Sequence, residues 1–462
     1  MTGPDPSRIS RRRLLQLGAL TPAAFLAACA ETLIPTLSPT PRATIIPSPR
    51  PTPTPSPTPS PTPIPSPAPS APILYRGAAL ADGRSAELQR NVSVLVENGV
   101  VVWIRPTGGE EDPRGAAVVD AAGATIVPGL VDAHSHLTGA GGAHWIDRFN
   151  DPPAVLAATG EANAALAWQS GVRWVRDLGS PIVSDPVDGR VRAASLGVRD
   201  RLAGRAGFPV IRAAGSWVTR AGSLPGRISA EAANADQLLA VALQQLDEGA
   251  DLVKLYLEGP DPNTTPWSIA ETRRVVEAVH ARGARVAAHA GRIGDIRTGV
   301  EAGVDTIEHG TELDAYTARR MRDTGTMLVS TLTVFRSWLS FSTTTTIPFF
   351  SAAGAARRFS DQLAGAEAGV RNARAAGVAI AAGSDAGGGS GRANQITWEY
   401  QSLIIAGLQP AEALAAITWR GGEALGVPDA GVIREGGPAH FFLVHGDPLT
   451  DPSAIWRVWR HA

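Results

Sequence analysis

Between residues 126 and 425 the chain alternates short, almost wholly apolar runs with longer segments in which apolar residues recur every three or four positions. Strands buried on both faces give the first pattern and amphipathic helices the second. Eight apolar runs stand near residues 126–133, 172–176, 209–214, 251–257, 284–289, 304–308, 327–334 and 378–383. Ala235–Glu248, Ile269–Arg282 and Phe359–Ala376 are helical segments between them, followed by the stop glycines Gly249, Gly283 and Gly377. Eight strands alternating with helices predict an α/β fold, specifically a (β/α)8 TIM barrel.

Outside that region the rhythm changes. Val92-Ser93-Val94-Leu95-Val96 and Val100-Val101-Val102-Trp103-Ile104 read as strands separated by turn residues, and Gly431–His445 reads as strands again. The flanks, residues 73–127 and 430–462, are expected to meet in a small β-sandwich, with the barrel of residues 128–429 inserted between them. An end at Ala462 raises the expectation that this sandwich lacks its last strand.

The first 72 residues carry no packing pattern of either kind. Ser10-Arg11-Arg12-Arg13-Leu14-Leu15-Gln16 precedes an apolar stretch from Leu17 to Ala28, the layout of a twin-arginine export signal. Leu26-Ala27-Ala28-Cys29 has the form of a lipoprotein signal, which makes residues 1–29 a signal peptide and Cys29 the lipidation site. Residues 30–72 alternate Pro with Ser and Thr and are expected to be a disordered tether, reaching on the order of 100 Å if extended as polyproline II. The expected location is the outer face of the cytoplasmic membrane.

Composition narrows the chemistry. A formal net charge of −1 with 44% hydrophobic residues lacks the basic excess that nucleic acid attracts. One cysteine allows neither an intrachain disulfide nor a cysteine zinc site. Lysine is nearly absent: Lys254 stands alone among 42 basic residues. A surface cation here would be arginine, so Lys254 points to chemistry that needs an amine able to lose its proton.

Barrel chemistry sits where strands end at their C-termini. The first run ends Asp132-Ala133-His134-Ser135-His136, and alternation puts both imidazoles on one face. His289 ends the fifth run, His309 the sixth, and Asp385 follows the eighth among glycines that leave room for close approach. Taken singly, each histidine reads more readily as a satisfied core group than as a ligand, and Asp385 equally as a helix cap. Their conjunction at four strand ends, with Lys254 on a fifth strand, points to a metal centre.

The run Val127-Pro128-Gly129-Leu130-Val131-Asp132-Ala133-His134-Ser135-His136, with Lys254, His289, His309 and Asp385 in that order, resembles the binuclear amidohydrolase superfamily. Gly171 to Gly179 and Ala406 to Gly426 are similar to its imidazolonepropionase and Xaa-Pro dipeptidase-like branch. The resemblance implies two divalent metals, zinc first and manganese or cobalt as alternatives. His134, His136 and Asp385 would hold one, and His289 and His309 the other. Lys254, carboxylated by CO2, and a hydroxide would bridge them, with Asp385 as general base and acid.

Tyr256, two residues beyond Lys254, reads either as a donor to the tetrahedral intermediate or as a packing residue. Arg176 reads either as a partner for a substrate carboxylate or as half of an internal pair with Asp177 or a neighbour. Arg220-Ala221-Gly222-Ser223-Leu224 replaces the Gly-Gly-His turn common in relatives, which predicts an altered pocket, and Gly437-Pro438-Ala439-His440 replaces a common Ala-Asp pair. Arg292 stands where mononuclear relatives carry a glutamate, against a deaminase or imidazolonepropionase activity. The expected function is hydrolysis of a carbon–nitrogen bond in a dipeptide, N-acyl amino acid or cyclic amide. Alternatives are a lactonase or phosphotriesterase on the same core and, more remotely, a solute-binding lipoprotein. Homo-oligomerisation stays open.

Overall fold

The computed structural model describes residues 71–110, 115–225, 228–389, 391, 393 and 396–462. The signal peptide, the lipidation site Cys29 and the tether up to Ser70 lie outside the described residues.

Each of the eight expected runs contributes a strand: β1 Leu130–Ser135, β2 Val172–Asp177, β3 Val210–Ala213, β4 Leu252–Tyr256, β5 Arg285–Ala290, β6 Thr306–His309, β7 Met327–Ser330 and β8 Ile380–Ala382. Strands β1, β2 and β3 form one sheet, and β4 to β8 pair in succession in another. Every pairing among them is parallel. Trp217–Arg220 and Ser229–Ala232 extend the second sheet beyond β4. Backbone contacts link the two sheets at both ends. Ser135 bridges to Ala386, just past β8, and the Asp251 amide donates to the Ala213 carbonyl at 2.8 Å.

Helices lie between the strands for local reasons. Ser268 and Glu271 form a reciprocal capping box on Ile269–Ala281, and the Asn234 side chain accepts from the Gln237 amide to start Ala235–Asp247. Ala355–Ala376 stops at Gly377 in a left-handed conformation.

Three readings need correction. The expected strand 126–133 is two strands, broken at Gly129, where a Cβ would lie 2.3 Å from the Arg173 Cγ. Ala124–Pro128 pairs antiparallel with Phe441–His445, whereas β1 pairs with β2. Both pieces are buried throughout, so unbroken hydrophobicity hid the change of partner. Within Gly431–His445 only Phe441–His445 is a strand; the preceding segment is turn, held at the Val100–Pro438 bridge. The run 327–334 stops at Ser330 because the helix Leu332–Thr344 begins there.

Both flanks meet in a single seven-stranded sheet. Its order is Val458–His461, Phe441–His445, Ala124–Pro128, Ile73–Leu80, Gln89–Glu97 and Val100–Pro106, with Ala117–Asp120 also paired to Ile73–Leu80. Tyr75, Val94, Ile126, Phe441 and Leu443 pack in a core of their own.

Candidate metal centre

All six residues of β1 are buried. The Asp132 carboxylate accepts from the Ser384 amide at 2.9 Å, the Ser384 hydroxyl at 2.5 Å and the His134 amide at 3.3 Å, which ties β1 to the segment beyond β8. Burial pushes Asp132 up to about 7 against those donors. The approach is so close that Gly383 has no room for a side chain: a Cβ would sit 2.2 Å from the His134 Cβ.

Asp385 lies three residues past β8 with φ 49, and His309 ends β6 with φ 71. Among the described residues, the other non-glycine positions with positive φ are Asn91 and Asn98. Asparagine, aspartate and histidine enter this region more readily than other non-glycine residues, yet each such position still costs about 1–3 kcal/mol. Such strain marks positions that the surrounding structure over-determines.

Hydrogen bonds fix two imidazoles. His134 Nδ1 lies 2.8 Å from Glu308 Oε2 and His136 Nδ1 lies 2.9 Å from the Gly179 carbonyl oxygen. A carboxylate and a carbonyl only accept, so both Nδ1 atoms donate. Burial, reinforced by the charge on Lys254, holds His134 well below the usual imidazole range, hence neutral. Its Nε2 lone pair faces Asp385 Oδ1 at 3.6 Å, and His136 Nε2 faces the same oxygen at 3.4 Å. Imidazole nitrogens and a carboxylate oxygen directed at one point offer electron pairs to a single ion, and these residues fit a divalent metal.

His309 adds to this group. Its ligand atom and those of His134 and Asp385 all lie within 4.8 Å of one another. Burial, with neighbouring His289 and Lys254, keeps His309 well below its usual range, and its Nδ1 lies 2.7 Å from the Thr331 hydroxyl. The His289 and His309 ring centres are 4.6 Å apart, and His289 stacks on Tyr256 at 4.1 Å. Pairing of β4 with β5 sets Tyr256 opposite His289.

Lys254 is 1% exposed, and its Nζ has no hydrogen-bond partner among the described residues. Burial lowers it to about 8, with Arg176 adding and Glu308 opposing. A buried amine left unsatisfied is costly unless something bonds to it.

All six expected ligands, His134, His136, Lys254, His289, His309 and Asp385, are thus brought to the same ends of the strands. The tightest triple, His134, His309 and Asp385, mixes the two expected ligand sets. Tyr256 borders the centre. Arg176 takes the second of its two readings, an internal pair, with Glu308 rather than Asp177 as the partner. It is buried, donating to Glu308 Oε1 at 2.8 Å and to the Ala133 carbonyl at 2.6 Å, because a guanidinium pointing into the interior needs a carboxylate there. Arg292 pairs with Asp295 at 2.6 Å.

Two site carboxylates escaped the sequence reading. Glu308 orients His134 and neutralises Arg176; a charged residue inside the apolar run before His309 was the available signal. Glu258, four residues past Lys254, lies 3.5 Å from His289 Nε2 and accepts from the Gly291 amide at 2.8 Å. Burial would raise Glu258, but His289, the Gly291 amide and Arg292 outweigh it and hold it at about 2.

On the far side of His136, Trp217 lies 5.0 Å away with Phe149 packed on both rings. Leu224, from the segment that replaces the Gly-Gly-His turn, packs against this pair.

Comparison with known proteins places these features in a family context. The model of the amidohydrolase family matches residues 125–459. An uncharacterised protein of Mycobacterium tuberculosis is 28% identical over 374 residues, covering 79% of this chain and 91% of its own length. An imidazolonepropionase of Deinococcus deserti is 25% identical over 424 residues, covering 84% of this chain and 95% of the relative. Among solved structures, a Xaa-Pro dipeptidase with methionine bound in its active site superposes with a TM-score of 0.72 at 22% identity, covering 84% of this chain and 97% of that one. At that identity the likeness speaks for the fold.

Proposed function

The chain belongs to the amidohydrolase family and is a hydrolase, and on that premise we propose that it cleaves the carbon–nitrogen bond of a small amide at a two-metal centre. His134, His136 and Asp385 would hold one cation, His289 and His309 the other, and Lys254 would bridge them. The observation that carries this reading is the convergence of His134 Nε2 and His136 Nε2 on the Asp385 carboxylate, beside a Lys254 Nζ that has no hydrogen-bond partner among the described residues. When bound, two divalent cations, zinc first and manganese or cobalt otherwise, would acidify water and polarise the scissile carbonyl.

The chain's own groups divide the remaining work. A Lys254 amine lowered to about 8 is partly neutral at physiological pH, so it can add to carbon dioxide, forming an N–C bond and releasing a proton. The resulting carbamate supplies the anionic oxygens a bridge needs. Asp385 takes the proton from the attacking water and returns it to the leaving nitrogen. The Tyr256 phenol, pushed up by burial, stays protonated and donates to the developing oxyanion.

We further infer that β1 to β8 close into a (β/α)8 barrel, with the flanking sheet folded as a small sandwich, and that Cys29 carries a lipid that tethers the enzyme outside the cytoplasmic membrane. The test is hydrolysis by the zinc-loaded protein of dipeptides including Xaa-Pro, N-acyl amino acids, cyclic amides, lactones and a phosphotriester, with Lys254→Arg as control. Amide cleavage lost in the variant supports the reading; ester-only turnover moves it to a lactonase, and no turnover without bound metal removes it.

A further inference from the structure

The first amides of an α-helix have no acceptor within the helix, and a side chain at the N-cap usually supplies one. Thr331 occupies that place before the helix Leu332–Thr344 and is of the preferred type, yet its side chain makes no cap bond. Its hydroxyl lies 2.7 Å from His309 Nδ1 instead.

The cap comes from elsewhere. Glu399, on the helix Ile396–Ala406, is wholly buried and spreads its carboxylate across the turn. Oε1 accepts from the Ser330 hydroxyl at 2.7 Å and the Leu332 amide at 2.8 Å. Oε2 accepts from the Thr333 amide at 2.7 Å and the Thr333 hydroxyl at 2.5 Å. An anion at a helix N-terminus is favoured, so the distant carboxylate does the local residue's task well.

We propose that Glu399 is a positioning residue of the metal centre. By capping the helix from a distance it releases the Thr331 hydroxyl to accept from His309 Nδ1, which leaves the His309 Nε2 lone pair for a cation. The His309 backbone, at φ 71, is in the left-handed region that costs a non-glycine residue about 1–3 kcal/mol, so its surroundings must hold it there. Without Glu399, Thr331 turns back to cap its own helix and His309 loses the partner that fixes its ring. The inference rests on the two-metal reading above.

The experiment is a competitive zinc titration against a chromophoric chelator on wild type, Thr331→Val, Glu399→Gln and the double variant, with thermal unfolding of each metal-free protein alongside. The expected result is that both single variants weaken the same one of two sites by about tenfold. The double variant should be no weaker than either, and Thr331→Ser should restore wild-type affinity. If Glu399→Gln does not fold, Glu399→Asp, which keeps the charge but falls one methylene short, takes its place with the same expectation. Wild-type affinity in variants that are merely less heat-stable overturns the inference and leaves the two-metal reading standing. A wild-type protein that takes up no metal removes both.

Discussion

The two sides of the metal centre are built differently. Around β1 and β8, the side chains of His134, His136 and Asp385 are at most 7% exposed, and both imidazoles are pinned by acceptors inside the protein. Around the ends of β4 and β5, the side chains of His289 and Glu258 are 23% and 25% exposed, and His289 is steadied by a stacked ring and a neighbouring carboxylate. The buried side has its ligand geometry settled before anything binds. The open side, where His289 is proposed to hold the second cation, lies nearer solvent, and that division would suit a site whose cations stay while reactants pass.

Substitutions should separate the sides. The largest effect is expected for Asp385→Asn on the buried side: a fall in kcat of roughly 10²–10⁴-fold, read from amide hydrolysis with circular dichroism confirming an intact fold. Arg176→Met strips the counter-charge from buried Glu308 and should destabilise the metal-free protein by about 3–5 kcal/mol in urea unfolding. Equal loss for Arg176→Met and a surface arginine variant would break the contrast.

On the open side, Tyr256→Phe should lower kcat by roughly 10²-fold with KM little changed, if the phenol meets the oxyanion. The smallest effect belongs to Glu258→Gln, which removes the charge that His289 and the Gly291 amide favour and should cost about 1–2 kcal/mol in unfolding free energy, less than Arg176→Met. A large destabilisation there would show that the open side is as structural as the buried one.

The proposed ligands were legible because a parallel strand buried on both faces is an unbroken apolar run, in or just beyond which a histidine, lysine or aspartate stands out. Their orienting partners were not. Glu308 meets Arg176 across 132 positions of chain, and Glu399 meets Thr333 across 66, separations at which no periodicity operates. The break at Gly129 was hidden for the opposite reason: two runs with different partners share one hydrophobic character. Arg176 stood open between substrate and an internal pair, since a strand end does not say which way a long side chain turns; the fold pairs it with Glu308.

The left-handed backbone at His309 and Asp385 sets two kinds of selection against each other. Glycine at either position would relax the chain, so a library sorted for thermal tolerance should drift toward His309→Gly and Asp385→Gly while one sorted for turnover should reject both.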